Sequence, residues 1–230
     1  MLPTPHVSCD YDKVYEPSED SFLLLDALEK DRAFLTQFLG SQGVNLVCEV
    51  GCGSGIVTTF MMQNNIPSKY SIYVPTDVNP WALESTVGTV QRNECGQRFF
   101  SPVRTNLVHS IREQEIDLLV FNPPYVPAET VPAVPQDWEL DPTKVASEQR
   151  PDDWLDLALL GGDDGMVVTW QLLNNLDSFL SAKGVAYILF CARNKPLDVV
   201  KHMQEQGWQS ELVEHRKAGW EVLSIYRFHR

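Results

Sequence analysis

Residues 45–55, Asn-Leu-Val-Cys-Glu-Val-Gly-Cys-Gly-Ser-Gly, constrain the fold of this chain more than any other stretch. A short apolar run stops at glycines 51, 53 and 55, and a helical pattern over 56–63 follows at once. Glycines at alternate positions let the backbone turn sharply and lie close to a ligand that a Cβ would exclude. A strand ending in such a turn and feeding a helix is a unit of a parallel sheet with helices on both faces.

The same alternation recurs downstream. Residues 70–76 read as the next strand, and Asn79-Pro80 opens a helix with a cap residue and proline at the first helical position. Residues 99–104, Phe-Phe-Ser-Pro-Val-Arg, form a short strand that Pro102 confines to an edge. Residues 115–121 are apolar enough for burial on both faces. A helix is expected over 166–180, closed by Gly184, then a strand over 185–191 and a helix from Asn194-Lys195-Pro196 to Gly207. Strands near 208–214 and 221–228 face each other across Lys217-Ala218-Gly219, an antiparallel hairpin. Upstream, residues 1–17 read as an extended arm, and Ser18 caps one helix running to about Phe38. The expectation is one doubly wound domain over 1–230, with a substrate-side loop over 123–160.

Charge narrows the partners. The net charge is −13 at pH 7, which disfavours free nucleic acid because phosphates would be repelled. From residue 129 to residue 164 there are ten Asp or Glu against Lys144 and Arg150. That stretch is either a solvated loop or a surface for a basic macromolecule. No run reaches the roughly 18 apolar residues of a membrane span, and the N-terminus has no basic, then apolar, leader. A cytosolic or nuclear protein is the expectation. Five scattered cysteines with no C-x-x-C pair read as buried thiols, and no metal site is expected.

Two strings carry the chemistry. A dinucleotide fingerprint would need Gly or Ala where Ile56 stands, so a pyrophosphate cradle and an oxidoreductase are disfavoured. Glu49 followed by G-x-G-x-G instead matches class I, Rossmann-like methyltransferases. Asp77, closing the second strand, is placed to accept two ribose hydroxyls, whereas Asn79 is the better helix cap. In that class a polar residue after the third strand contacts the adenine amino group, which the match implies for Asn106, with Leu107 packing the ring. Asn122-Pro123-Pro124-Tyr125 follows the buried strand at the carboxyl edge of the sheet, where such folds bind ligands. An amide or ring-amino nitrogen is a weak nucleophile because its lone pair is delocalised. Acceptors aimed at its N–H groups favour the pyramidal form: the Asn122 side-chain oxygen and the Pro123 carbonyl, beside the flat Tyr125 ring. Catalysis is then chiefly positioning.

Four strings in order resemble eukaryotic HemK-type release factor glutamine methyltransferases, the fungal catalytic subunit in particular. They are Val14-Tyr15-Glu16-Pro17-Ser18-Glu19-Asp20-Ser21, residues 49–55, Asp77-Val78-Asn79-Pro80 and residues 121–125. The resemblance spans nearly the whole chain. It implies a doubly wound, mostly parallel seven-stranded sheet with a C-terminal antiparallel hairpin, and S-adenosyl-L-methionine as cofactor. It implies cofactor contacts from Ser21, Glu49, Gly51, Gly53, Asp77, Asn106, Leu107 and Asn122. Acceptor contacts would come from Asn122, Pro123, Pro124 and Tyr125, with Asn122, Pro123 and Tyr125 catalytic. The implied substrate is the glutamine amide of the Gly-Gly-Gln loop of the translation termination factor. A small zinc-binding activator subunit is the implied partner, docked along 99–104. The family commonly has an acid at Asn106 and often Thr at Ser21; both residues here still offer acceptors. Protein lysine and adenine-N6 acceptors are the alternatives, and a non-catalytic scaffold would have no reason to keep both strings.

Overall fold

The computed structural model describes residues 1–40, 43–134 and 152–230, with the side chains of Asp152 and Asp153 outside the description. The main sheet is built from β1 (Asn45–Val50), β2 (Ser71–Tyr73), β3 (Thr76–Asp77), β4 (Val103–Arg104), β5 (Ile116–Phe121), β8 (Leu180–Cys191), β9 (Gln209–Ala218) and β10 (Glu221–His229). Its order is β4-β3-β1-β5-β8-β10-β9, with β2 alongside β1 ahead of β3. Pairing is parallel from β4 to β8 and antiparallel for β8–β10 and β10–β9.

Helices cover both faces. The first is lined by α1 (Glu19–Lys30), α2 (Arg32–Phe38), α3 (Ile56–Gln63) and α4 (Pro80–Arg92). The second is lined by α6 (Val167–Leu173), α7 (Leu176–Phe179) and α8 (Pro196–Glu205). Along β8 the strand period of two separates the cores: Val185, Tyr187, Leu189 and Cys191 join one, Ala186, Ile188 and Phe190 the other. Every residue of β5 is buried; Asp117 breaks its apolar run and accepts the Leu46 N–H at 2.9 Å and the Ser181 hydroxyl at 2.7 Å. Each fully buried Leu or Ile side chain contributes about 1.5–3 kcal/mol.

Several local expectations are corrected. The strand expected over 70–76 is two pieces, because Pro75 has no N–H to continue the ladder that Val74 makes to the Val47 carbonyl. The helix expected from Ser18 to Phe38 breaks at Asp31, where φ is −95° and ψ is 9°. Asp31 accepts a 2.6 Å bond from the Tyr187 hydroxyl of β8 and pairs with Arg227 of β10, so two distant strands hold the break. Ser18 occupies the N-cap position without a side-chain cap bond. The helix expected over 166–180 divides at Asn174 and Asn175, and β8 begins at Leu180, before the expected 185. Within 123–160 the chain also forms β6 (Val126–Pro127) and α5 (Asp152–Leu159), and β6 pairs with β7 (Leu160–Gly162). Of the acidic stretch, residues 135–151 lie outside the described residues.

The edge is as read. β4 ends the sheet, and residues 99–101 extend it: Ser101 N–H bonds the Tyr73 carbonyl, and Tyr73 N–H bonds the Phe99 carbonyl. Phe100 packs on the core while Phe99 is 75% exposed.

Candidate functional site

The ends of β1, β3 and β5 and the chain entering α1 converge on a cavity of about 300 Å³ at the carboxyl edge of the parallel strands. Its wall includes all the residues singled out from the sequence: Ser21, Glu49, Gly51, Gly53, Asp77, Asn106, Leu107, Asn122, Pro123, Pro124 and Tyr125.

The glycine turn is held by side chains as well as backbone. Asp77 Oδ2 accepts the Gly53 N–H at 3.0 Å, and its Oδ1 accepts the Asn79 N–H at 2.9 Å. Asn79 caps α4, accepting the Trp81 N–H at 2.9 Å, so the capping role falls to Asn79 rather than to Asp77. Gly51 and Gly53 have φ of +66° and +49°, and no backbone atom lies within 4 Å of a Cβ built on either. They present an open cradle to a ligand. Gly55 serves packing instead, since a Cβ there would lie 2.6 Å from Thr86 Cα in α4.

Glu49 is buried. Its Oε2 accepts the Thr58 N–H at 2.7 Å and also the Thr58 hydroxyl. Burial pushes its carboxyl up to about 8, against the Thr58 bonds that pull it down. Burial likewise raises Asp77 to about 6, opposed by the Gly53, Asn79 and Val78 N–H groups. The charge of Asp77 adds to the cost of ionising Glu49. A cationic ligand whose hydroxyls and ammonium meet the two acids would relieve that cost.

Linkage gives a sign. Both groups bind protons more tightly folded than unfolded, so they stabilise the free protein fully below about pH 4 and progressively less as pH rises towards 8. The melting temperature of the free protein is therefore expected to fall between about pH 5 and 8 by their contribution. Replacing Glu49 with Gln should flatten that slope in scanning fluorimetry; an unchanged slope would remove Glu49 as its source.

At the other end, Pro123 is buried and Tyr125 lies against the first core. Burial raises the Tyr125 hydroxyl far above its ordinary value, so it stays a neutral ring face. Asn122 Nδ2 donates to Asp20 Oδ2 at 3.1 Å, while the buried Asn122 Oδ1 has no hydrogen-bond partner among the described residues. An orphaned buried acceptor is costly, and a bound N–H donor would satisfy it.

Sequence reasoning missed three supports. Asp20, 2% exposed, lies in the Val14–Ser21 string, whose local pattern assigns it no role. Asn194 was read only as opening a helix; its Nδ2 donates to the Tyr125 and Asp164 carbonyls at 3.0 and 2.9 Å, and its Oδ1 accepts the Cys191 N–H. Gly161 and Gly165 press on the same tetrapeptide from behind. A Cβ there would sit 2.1 Å from the Pro124 carbonyl oxygen and 2.0 Å from that of Tyr125. The Gly-Gly and Asp-Gly steps were the only local signal. On the acceptor side, Trp154 of α5 is buried in the wall.

Comparison with known proteins places this geometry. The model of the methyltransferase small domain matches residues 22–135. The eRF1 methyltransferase catalytic subunit mtq2 of Schizosaccharomyces pombe is 36% identical, the alignment covering 100% of this chain and 96% of that one. Mouse methyltransferase HEMK2 is 36% identical over 99% of this chain and 96% of its own. Among solved structures, the E. cuniculi Mtq2-Trm112 complex, described as responsible for methylation of the eRF1 translation termination factor, superposes with a TM-score of 0.62. It is 26% identical, and the match covers 95% of this chain and 99% of that one.

Proposed function

This chain belongs to the family of the Mtq2 and HEMK2 methyltransferases, and from that premise we propose that it methylates the side-chain amide nitrogen of the Gly-Gly-Gln glutamine in the translation termination factor. The observation that carries the reading is Asn122 Oδ1, buried, unpartnered among the described residues and at the wall of the cavity. A primary amide needs that acceptor.

The cavity suits S-adenosyl-L-methionine: an open glycine cradle, two carboxylates at Glu49 and Asp77, and a polar end beside Ser21. Asp77 would hold the ribose hydroxyls, Asn106 and Leu107 the adenine, and Glu49, Gly51 and Ser21 the methionine end. When bound, that cofactor supplies an activated methyl group on a sulfonium. The residues then need only hold the acceptor. Asn122 Oδ1 takes one amide N–H, the Pro123 carbonyl the other, and Tyr125 covers the planar group. With both N–H bonds directed away from the amide plane, the nitrogen lone pair would be presented in line to the activated methyl, and one N–H proton would be shed to solvent once the methyl has left its sulfur. The surplus negative charge of the chain, −13, fits a protein substrate better than a nucleic acid.

A Trm112-type subunit is the proposed partner, added in strand fashion beside residues 99–104. Support comes from Phe99, whose exposed ring lies on the segment that runs along the sheet edge beside Tyr73, just ahead of β4. Such an edge is normally covered or charged. Phe99→Glu is expected to turn a 1:1 heterodimer into separate chains in size-exclusion chromatography with light scattering. Phe100 is the control, since its ring faces the core. A heterodimer unaffected by Phe99→Glu would move the interface elsewhere.

Incubating that heterodimer with labelled cofactor and the termination factor should place one methyl on the glutamine, read by mass spectrometry. Label elsewhere, or on a factor whose glutamine is replaced, would sink this substrate.

A further inference from the structure

The Asn122 amide is useful only in one of its two orientations. Turned one way it offers an oxygen to the acceptor's N–H groups; turned the other it offers N–H groups against N–H groups. Nothing in the amide itself chooses, because its two ends are nearly the same shape.

The choice is made by the residue behind it. We propose that Asp20 is the positioning residue that fixes the Asn122 amide with its nitrogen turned inward and its oxygen turned to the acceptor. The inference rests on the reading of Asn122 as the acceptor's hydrogen-bond partner. Asp20 Oδ2 lies 3.1 Å from Asn122 Nδ2, and a carboxylate there can only accept, so the nitrogen must face it. The carboxylate is itself held on both oxygens. The Tyr15 hydroxyl donates to Oδ2 at 3.1 Å, and Ser21 donates to Oδ1 from its N–H at 2.6 Å and its hydroxyl at 3.2 Å. Asp20 is 2% exposed in the first turn of α1, so water does not compete for it. Tyr15, Ser21 and Asn122 all line the cavity with it. Asp20 thus links the end of the site proposed for the methionine group to the end proposed for the acceptor.

This arrangement makes an isosteric change harmful. In Asp20→Asn the new amide must turn its own nitrogen either to Asn122 and Tyr15 or to Ser21. Either way donors meet donors. The single-turnover rate at saturating cofactor and acceptor should fall roughly 10–100-fold, the range of one charge-assisted hydrogen bond. Because Asp20 acts through Asn122, adding Asp20→Asn to Asn122→Ala should lower the rate less than about twofold further, as coupled neighbours do. The swap of Asp20→Asn with Asn122→Asp should run faster than either single variant. In it the amide at position 20 donates to the new carboxylate and accepts from Ser21, and position 122 still presents an oxygen.

A readout independent of any acceptor completes the test. In the 15N-labelled heterodimer the Asn122 side-chain NH2 should exchange slowly with solvent, and Asp20→Asn should remove that protection. Rate losses that multiply in the Asn122→Ala background, a swap no faster than the singles, or unchanged exchange would each overturn the proposal. If the unaltered heterodimer methylates a nitrogen other than the glutamine, the substrate reading fails alone. The same rate comparison then proceeds on the nitrogen it does methylate.

Discussion

Asn122→Ala is expected to lower methyl transfer by roughly 10²–10³-fold, the scale seen when one directed hydrogen-bonding group is removed from an active site. The substitution removes the unpartnered Oδ1 that would meet the acceptor. It leaves the fold intact: among the described residues Asn122 bonds through its side chain to Asp20, and Asp20 keeps its bonds from Tyr15 and Ser21. The cost should therefore fall on turnover, with cofactor affinity changed only a few-fold. Single-turnover rates beside calorimetric cofactor binding separate the two. A rate near that of the unaltered chain would show that Asn122 does not hold the acceptor.

Asp77→Ala is expected to act at the opposite end, on cofactor affinity. Two ribose hydroxyls would lose a charged acceptor, at about 1.5–3 kcal/mol each, which is roughly 10²–10⁴-fold in dissociation constant. The carboxylate does more than wait for a ligand. It already accepts N–H groups from Gly53 and Asn79, so its loss also slackens the glycine turn. The conservative Asp77→Asn keeps one acceptor and one of those backbone bonds, and should lose less than Asp77→Ala. Affinity of the alanine variant within about twofold of the unaltered chain, by calorimetry, would take Asp77 out of the ribose site.

The two residues just discussed were legible in the sequence for a physical reason. Each lies in a short string whose residue types are dictated locally: glycines by positive φ, Asp77 by its place at a strand end, Asn122 by two prolines behind a buried strand. The sheet was legible too, because strand and helix periods differ and alternate. What escaped was set by distance along the chain. Asp20 meets Asn122 across 102 residues, and Asn194 meets Tyr125 across 69. No pattern within either segment announces the other. The helix break at Asp31 has the same origin, since Arg227 and Tyr187 hold that carboxylate. Nothing between Ser18 and Phe38 warned of it. The role of Phe99 as the outward ring of its pair needed the register with Tyr73 to be known.

The seat of α1 has a consequence for the order in which this protein becomes competent during synthesis. That helix brings Asp20 and Ser21 to the site, yet it rests on the last strands to be made. Lys30 donates to the Val213 carbonyl at 2.7 Å, Asp26 pairs with Arg216, and Asp31 pairs with Arg227. When residues 45–125 have left the ribosome, the glycine turn and the Asn-Pro-Pro-Tyr string can already be present. The α1 segment, though made earlier, then has α3 and the first core to rest on but not its seat on β9 and β10. Domains generally fold as units while being made, and contacts this remote in sequence form late. A chain that stops short of Arg216 keeps the cofactor loop but lacks the ion pairs of Glu19, Asp26 and Asp31 that seat α1, and with it Asp20, on the closing strands.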